Sequence, residues 1–79
     1  MYIEFDRQAV KQLESLSKQT KQRVKSAIDG LPNGDVAKLK GHDLLRRLRV
    51  GRYRVIFAYT EKGVFVEAIL PRGSAYKHY

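Results

Sequence analysis

The sequence predicts an α+β fold, with an N-terminal strand and a two-helix hairpin packed on one face of a small curved antiparallel β-sheet. Three observations carry that expectation. Apolar residues recur every three or four positions up to Leu31, where Pro32 interrupts them. Three segments rich in β-branched and aromatic residues follow. Only Gly51 and the tripeptide Glu61-Lys62-Gly63 separate those segments, and no repeat or low-complexity run breaks the order. Residues 1–79 are therefore expected to form one domain.

Each element has its own signal. Tyr2, Ile3, Glu4 and Phe5 alternate, so Ile3 and Phe5 can share the inner face of an edge strand. Asp6 fits the N-cap of a helix over 7–18, with Val10, Leu13 and Leu16 on or near one face. A second helix over 20–31 presents Val24, Ala27, Ile28 and Leu31. The polar joint Ser17-Lys18-Gln19-Thr20 makes the pair an antiparallel hairpin. Pro32 cannot continue a helix, and Asn33-Gly34 favours a turn. Residues 36–43 read as a link. Strands are expected over 44–50, 52–60 and 64–70, and their short connections favour an antiparallel meander.

Composition narrows the function classes. A chain of 79 residues buries roughly 60–65% of its unfolded surface, which leaves a thin core. It contains no cysteine, so a disulfide framework and a thiolate metal cluster are excluded. The first residues show no signal-peptide pattern, and no apolar run approaches the roughly 20 residues that span a bilayer. A soluble, cytoplasmic protein is expected. The formal charge is +8, and it is unevenly spread. Residues 1–37 hold six basic and five acidic side chains, whereas residues 38–79 hold ten and three. A field concentrated in one half implies a polyanionic partner, nucleic acid first and an acidic protein second. A membrane fits least, because no strongly basic helix has a clean apolar face.

The candidate site begins in Arg46-Arg47-Leu48-Arg49-Val50-Gly51-Arg52-Tyr53-Arg54, where five arginines fall within nine residues without an acidic neighbour. In a strand, Arg47 and Arg49 share one face while Leu48 and Val50 take the other. Two adjacent guanidiniums repel each other, which is poor scaffolding; a phosphate backbone would relieve the repulsion and suits their fork geometry. The plainer reading is a solvated strand. Arg54 stands among residues that look buried, so its charge needs either a partner or an opening on a cleft. Arg52 adjoins a turn and can simply face water. Arg46 has the parity of Leu48, which puts it at a rim outside the proposed cleft.

Further candidates flank this strand pair. Arg72 follows the last strand, and Tyr76 can stack on a base or hydrogen-bond near a phosphate. Against these stand a surface charge and a lid over a thin core. His78 and Tyr79 are possible acid–base groups at the end of the chain. So is His42, since histidine titrates near neutrality, although a loop histidine is more often a cap or surface residue. Lys38 and Lys40 extend the positive footprint. Asp35, Asp43, Glu61 and Glu67 have no metal-ligand spacing, and no phosphate-loop, dinucleotide or zinc-protease motif occurs. No metal and no cofactor is expected.

Leu39-Lys40-Gly41-His42, the run from Leu48 to Phe57, and Arg72 to Tyr76 resemble the RelE/ParE toxin superfamily of type II toxin–antitoxin systems, nearest to its RelE-type messenger-RNA endonucleases. The resemblance covers nearly the whole chain. It implies a metal-independent, ribosome-dependent endoribonuclease that cuts messenger RNA by attack of a ribose 2′-hydroxyl on the adjacent phosphorus. Arg54 and Arg72 would stabilise phosphoryl charge and Arg49 would act beside them. Arg47, Arg49, Lys38, Lys40, Arg52 and Arg46 would hold RNA. The family tyrosine falls on Tyr76, with Tyr79 as the alternative. Arg47 and Arg49 stand where the family has lysines, which keeps the charge but weakens a general-base role. Only Lys77, His78 and Tyr79 follow Tyr76, so the family's C-terminal helix is expected to be missing or vestigial. The implied partners are a cognate antitoxin and the ribosome with messenger in its decoding site; operator DNA would be met only through the antitoxin. Two rival readings remain open. One is a ParE-type inhibitor of DNA gyrase, and the other a non-catalytic nucleic-acid-binding or interaction module.

Overall fold

The structure, a computed structural model, describes residues 2–74 and 79. Its elements are β1 (Tyr2–Phe5), α1 (Arg7–Glu14), α2 (Lys18–Asp29), β2 (Asp35–Lys38), β3 (Arg46–Val50), β4 (Tyr53–Tyr59) and β5 (Gly63–Pro71). They build an α+β fold around one five-stranded sheet of order β1-β5-β4-β3-β2. The expected meander is β3-β4-β5. β2 pairs antiparallel with β3, and β1 lies at the opposite edge, parallel to β5. Among the described residues no helix is long and apolar enough to cross a membrane.

Capping decides the helix limits. Asp6 is the N-cap of α1, where its Oδ2 accepts from the Gln8 N–H at 3.1 Å. Ser17 caps α2 by accepting from the Thr20 N–H at 3.2 Å. A capping residue needs extended backbone, so Ser17 ends any continuation of α1 and starts α2 earlier than expected. The helices therefore run shorter at their C-terminal ends than 7–18 and 20–31. Leu31 lies beyond α2 yet is buried, and it supplied the last beat of the periodic pattern. Val10 is also corrected: Ala9 and Leu13 are the buried residues of α1, and Val10 is exposed.

The principal core lies between the helices and one sheet face. Val24, Ile28, Leu48, Val55, Phe57, Val66 and Ile69 are central to it. The opposite face carries a smaller cluster of Ile56, Ala68 and Leu70, with Leu39, Leu45 and Tyr79 packed against it. β4 is thus covered on both sides, and Arg54, Val55, Ile56 and Phe57 are all buried. The register between β4 and β5 shifts at Ile56/Phe57, which leaves Glu67 as an extra residue between Val66 and Ala68. Residues 36–43 were read as a link, but Asp35–Lys38 form the edge strand β2.

Candidate functional site

Side-chain parity positions the site. Val55 and Phe57 enter the core under the helices, so Arg54 and Ile56 project from the other face. Across the ladder Arg47 faces Ile56, and Arg49 faces Arg54. On this face, opposite α1 and α2, a cavity of about 220 Å³ is lined by Lys38, Lys40, Arg47 and Arg54, with Leu39, Ile56 and Tyr79 as its apolar and aromatic walls. Four cations from β2, the following loop, β3 and β4 thus share one opening. Arg47 also stands 3.7 Å from the Asp35 carboxylate, a loose pair at the exposed edge.

Arg54 is 6% exposed, and the structure meets both conditions set for its charge. Its Nη1 donates to the carbonyl oxygens of Gly51 at 3.2 Å and Tyr53 at 3.1 Å, while its side chain lines the cavity. The intervening Arg52 carbonyl accepts from the Arg72 backbone N–H at 2.8 Å. Three successive carbonyls of the β3–β4 turn are therefore tied to Arg54 or Arg72. Gly51 holds φ 57° there, a left-handed conformation that favours glycine. The turn fixes the Arg54 guanidinium before any ligand arrives, and it joins the start of the C-terminal segment to the same end of the sheet.

The remaining candidates divide between the two faces. Arg49 is exposed and borders a groove with α2, although its ladder partner is Arg54. Arg52 is exposed at the turn and lines an adjoining groove with Thr20 and Arg23. Arg46 lies on the helix side of the sheet, its guanidinium 5.4 Å from the centre of the Tyr59 ring. Arg46 and Arg52 therefore stand outside the cavity, because their parity and turn position direct them elsewhere. Arg72 is exposed and does not line the cavity. Tyr76 and His78 lie outside the described residues.

Tyr79 is half-buried against Ile56, Ala68 and Leu70. Burial pushes its phenol up from 10.0 to about 12, reinforced by a hydrogen bond to Glu67 and by that carboxylate's charge, with a smaller opposing effect from Gln8. This environment favours the protonated phenol, so Tyr79 is a poor general base and a competent hydrogen-bond donor. His42 is half-buried, its backbone N–H donates to Leu39 O at 3.1 Å, and its ring lies 5.7 Å from that of Tyr79. It is both a turn residue and a neighbour of the cavity wall. Sequence reading missed the apolar floor, although Ile56 and Arg54 share strand parity. It also missed Arg23, which belongs with Gln19, Gln22 and Ser26 to one polar row at helical spacing.

This sheet, with α1 and α2 on one face and a cationic cavity on the other, has the architecture of the RelE/ParE toxin class. The fold is similar to that of a RelB–RelE antitoxin–toxin complex from Methanococcus jannaschii, with a TM-score of 0.79 and 24% identity over 96% of this chain and 98% of that one. It is also similar to an archaeal RelE–RelB complex from Pyrococcus horikoshii OT3, with a TM-score of 0.71 and 32% identity over 90% of this chain and 93% of that one. Within this class the chain belongs to the ParE toxin family of type II toxin–antitoxin systems, parDE, whose family model matches residues 3–76. No curated protein matches the sequence.

Proposed function

We propose that this toxin is a ribosome-dependent endoribonuclease that cleaves messenger RNA without a metal ion. The observation that carries the reading is the convergence of Lys38, Lys40, Arg47 and buried Arg54 on one cavity with an aromatic wall. Cations can grip a phosphodiester there, while Leu39, Ile56 and Tyr79 pack against a base or ribose. In the reaction, the ribose 2′-oxygen bonds to phosphorus and the phosphorus–O5′ bond breaks. The 2′-hydroxyl gives up its proton and the departing 5′-oxygen gains one. The products are a 2′,3′-cyclic phosphate and a 5′-hydroxyl.

Arg54 stabilises the charge that grows on the phosphoryl oxygens, and its bonds to the turn supply that charge without reorganisation. Arg47, Lys38 and Lys40 hold the backbone. Arg72 and Arg49 act from the same end of the sheet, Tyr76 takes the family tyrosine's place, and Tyr79 donates a hydrogen bond. His42, beside Tyr79, is the described acid–base candidate nearest the cavity wall. A cognate antitoxin, acidic in its toxin-binding segment, covers this face; both similar structures are toxins in complex with RelB. Operator DNA is reached through the antitoxin.

The ParE family match favours a second reading, inhibition of DNA gyrase. Parallel assays separate the two. The toxin is added to translating ribosomes with end-labelled messenger, and to gyrase with supercoiled DNA. The nuclease reading expects site-specific messenger fragments ending in a cyclic phosphate. Gyrase–DNA breaks without messenger cleavage would overturn it. Tight RNA binding with neither signal would leave a non-catalytic binding module.

A further inference from the structure

We infer that the β3–β4 turn and the facing side of α2 form a second surface for a nucleic-acid backbone, separate from the cavity. Two adjoining grooves meet at Gly51, with volumes of about 510 and 390 Å³. Arg23 lines both and Arg52 the second, while Arg49, whose side chain shares the face of Arg54, only borders the first. The Arg23 guanidinium lies over the turn: a methyl group on Gly51 would sit 3.7 Å from its Nη2. Gln19 and Gln22 add neutral donors along the same row of α2. No carboxylate lines either groove. Among the described residues the ion pair formed by an arginine is that of Arg47 with Asp35, so no side-chain carboxylate neutralises Arg23, Arg49 or Arg52.

The turn strengthens this positive field. The carbonyl oxygens of Gly51, Arg52 and Tyr53 already accept from Arg54 or Arg72, which offsets their negative ends. The Arg23 and Arg52 guanidiniums and the two amides suit phosphate and sugar oxygens, which need charge and donors more than apolar burial. An acidic peptide anchors chiefly through apolar side chains in pockets, and among the residues lining the two grooves Val50 and Tyr53 alone carry an apolar or aromatic side chain. Gly51 is shared ground, because its carbonyl holds Arg54 on the cavity side and its α-carbon underlies Arg23 on the other. One RNA can therefore place a single-stranded segment in the cavity and lay a flanking, structured segment around the turn. The placement in the cavity rests on the nuclease reading; the second surface itself does not.

The test uses uncleavable 2′-O-methyl RNA in two forms, a short single strand and the same strand joined to a hairpin. Fluorescence anisotropy against salt is measured for the wild type, R23Q/R52Q and the charge-preserving R23K/R52K. The double glutamine variant is expected to bind the hairpin probe about tenfold more weakly, with a salt slope smaller by about 1.4–1.8 for two lost phosphate contacts. Its affinity for the short strand should be unchanged, and R23K/R52K should recover most hairpin binding. Equal hairpin affinity for R23Q/R52Q and wild type, or equal losses on both probes, would overturn the inference. Unchanged RNA binding with weaker antitoxin binding would also overturn it and assign the surface to protein. Because the probe cannot be cut, absence of ribosomal cleavage would end the nuclease reading and leave this result standing.

Discussion

Arg54 occupies a strand position where neighbours Val55, Ile56 and Phe57 are almost wholly inaccessible. A charge in such a place needs compensation, and the Gly51 and Tyr53 carbonyls provide part of it. Lysine could keep the charge but not the second guanidinium arm that can reach a phosphate while Nη1 holds both carbonyls, so Arg54→Lys should retain RNA binding and lose most of the cleavage rate. Rates on programmed ribosomes, with binding measured alongside, check this. Tyr79 yields a pH prediction. Its folded-state value of about 12 lies above the ordinary 10.0, so ionisation favours unfolding. Its stabilising contribution is complete below pH 10.0 and disappears as pH rises through about 12. Ultraviolet titration should reveal one late tyrosine, and Glu67→Gln should bring that transition earlier by removing the hydrogen-bonded carboxylate.

At the scale of elements, β3 and β4 trade stability for charge. Arg49 and Arg54 are directly opposed, and like charges so placed repel. Arg49→Thr should raise stability by about 0.2–1 kcal/mol while weakening RNA binding, measured by urea unfolding and anisotropy. A different compensation holds β5. Its parallel partner β1 ends at Phe5, so further along the edge the Ile69 N–H donates instead to Gln12 Oε1 from α1, at 2.7 Å. Gln12→Ala should cost about 1–3 kcal/mol with an unchanged denaturant slope, because it strands a partly buried donor. Much of this was legible beforehand. The meander followed from β-branched segments with short joints, and alternation put Leu48 inside and Arg46 on its side. β2 was not legible, since Asp35, Ala37 and Lys38 have weak strand preference and pair because β3 offers an open edge. The earlier start of α2 depended on Ser17 winning the cap over the polar residues after it.

For the whole molecule, the sheet separates two tasks. Helices cover the face that carries the larger apolar cluster; the other keeps only a small cluster, Ile56, Ala68 and Leu70, and opens the cavity beside it. The excess charge in the second half of the sequence anticipated a cationic surface, but not its division at Gly51 between the cavity and the grooves beside α2. That division depends on α2 packing beside β3 and bringing Arg23 over the turn, a tertiary relation that spacing along the chain does not encode. The same holds for Tyr79, which becomes a cavity wall by packing across β4 and β5. On the proposed mechanism the cavity would do the chemistry, while the turn keeps its buried cation in place.

Single-turnover cleavage of labelled messenger on programmed ribosomes, comparing wild type with Arg54→Ala at matched folding and antitoxin binding, bears most directly on that chemistry. The expected result is a rate lower by about 10²–10³ with the messenger still bound. Cleavage by the variant at nearly the wild-type rate would contradict it.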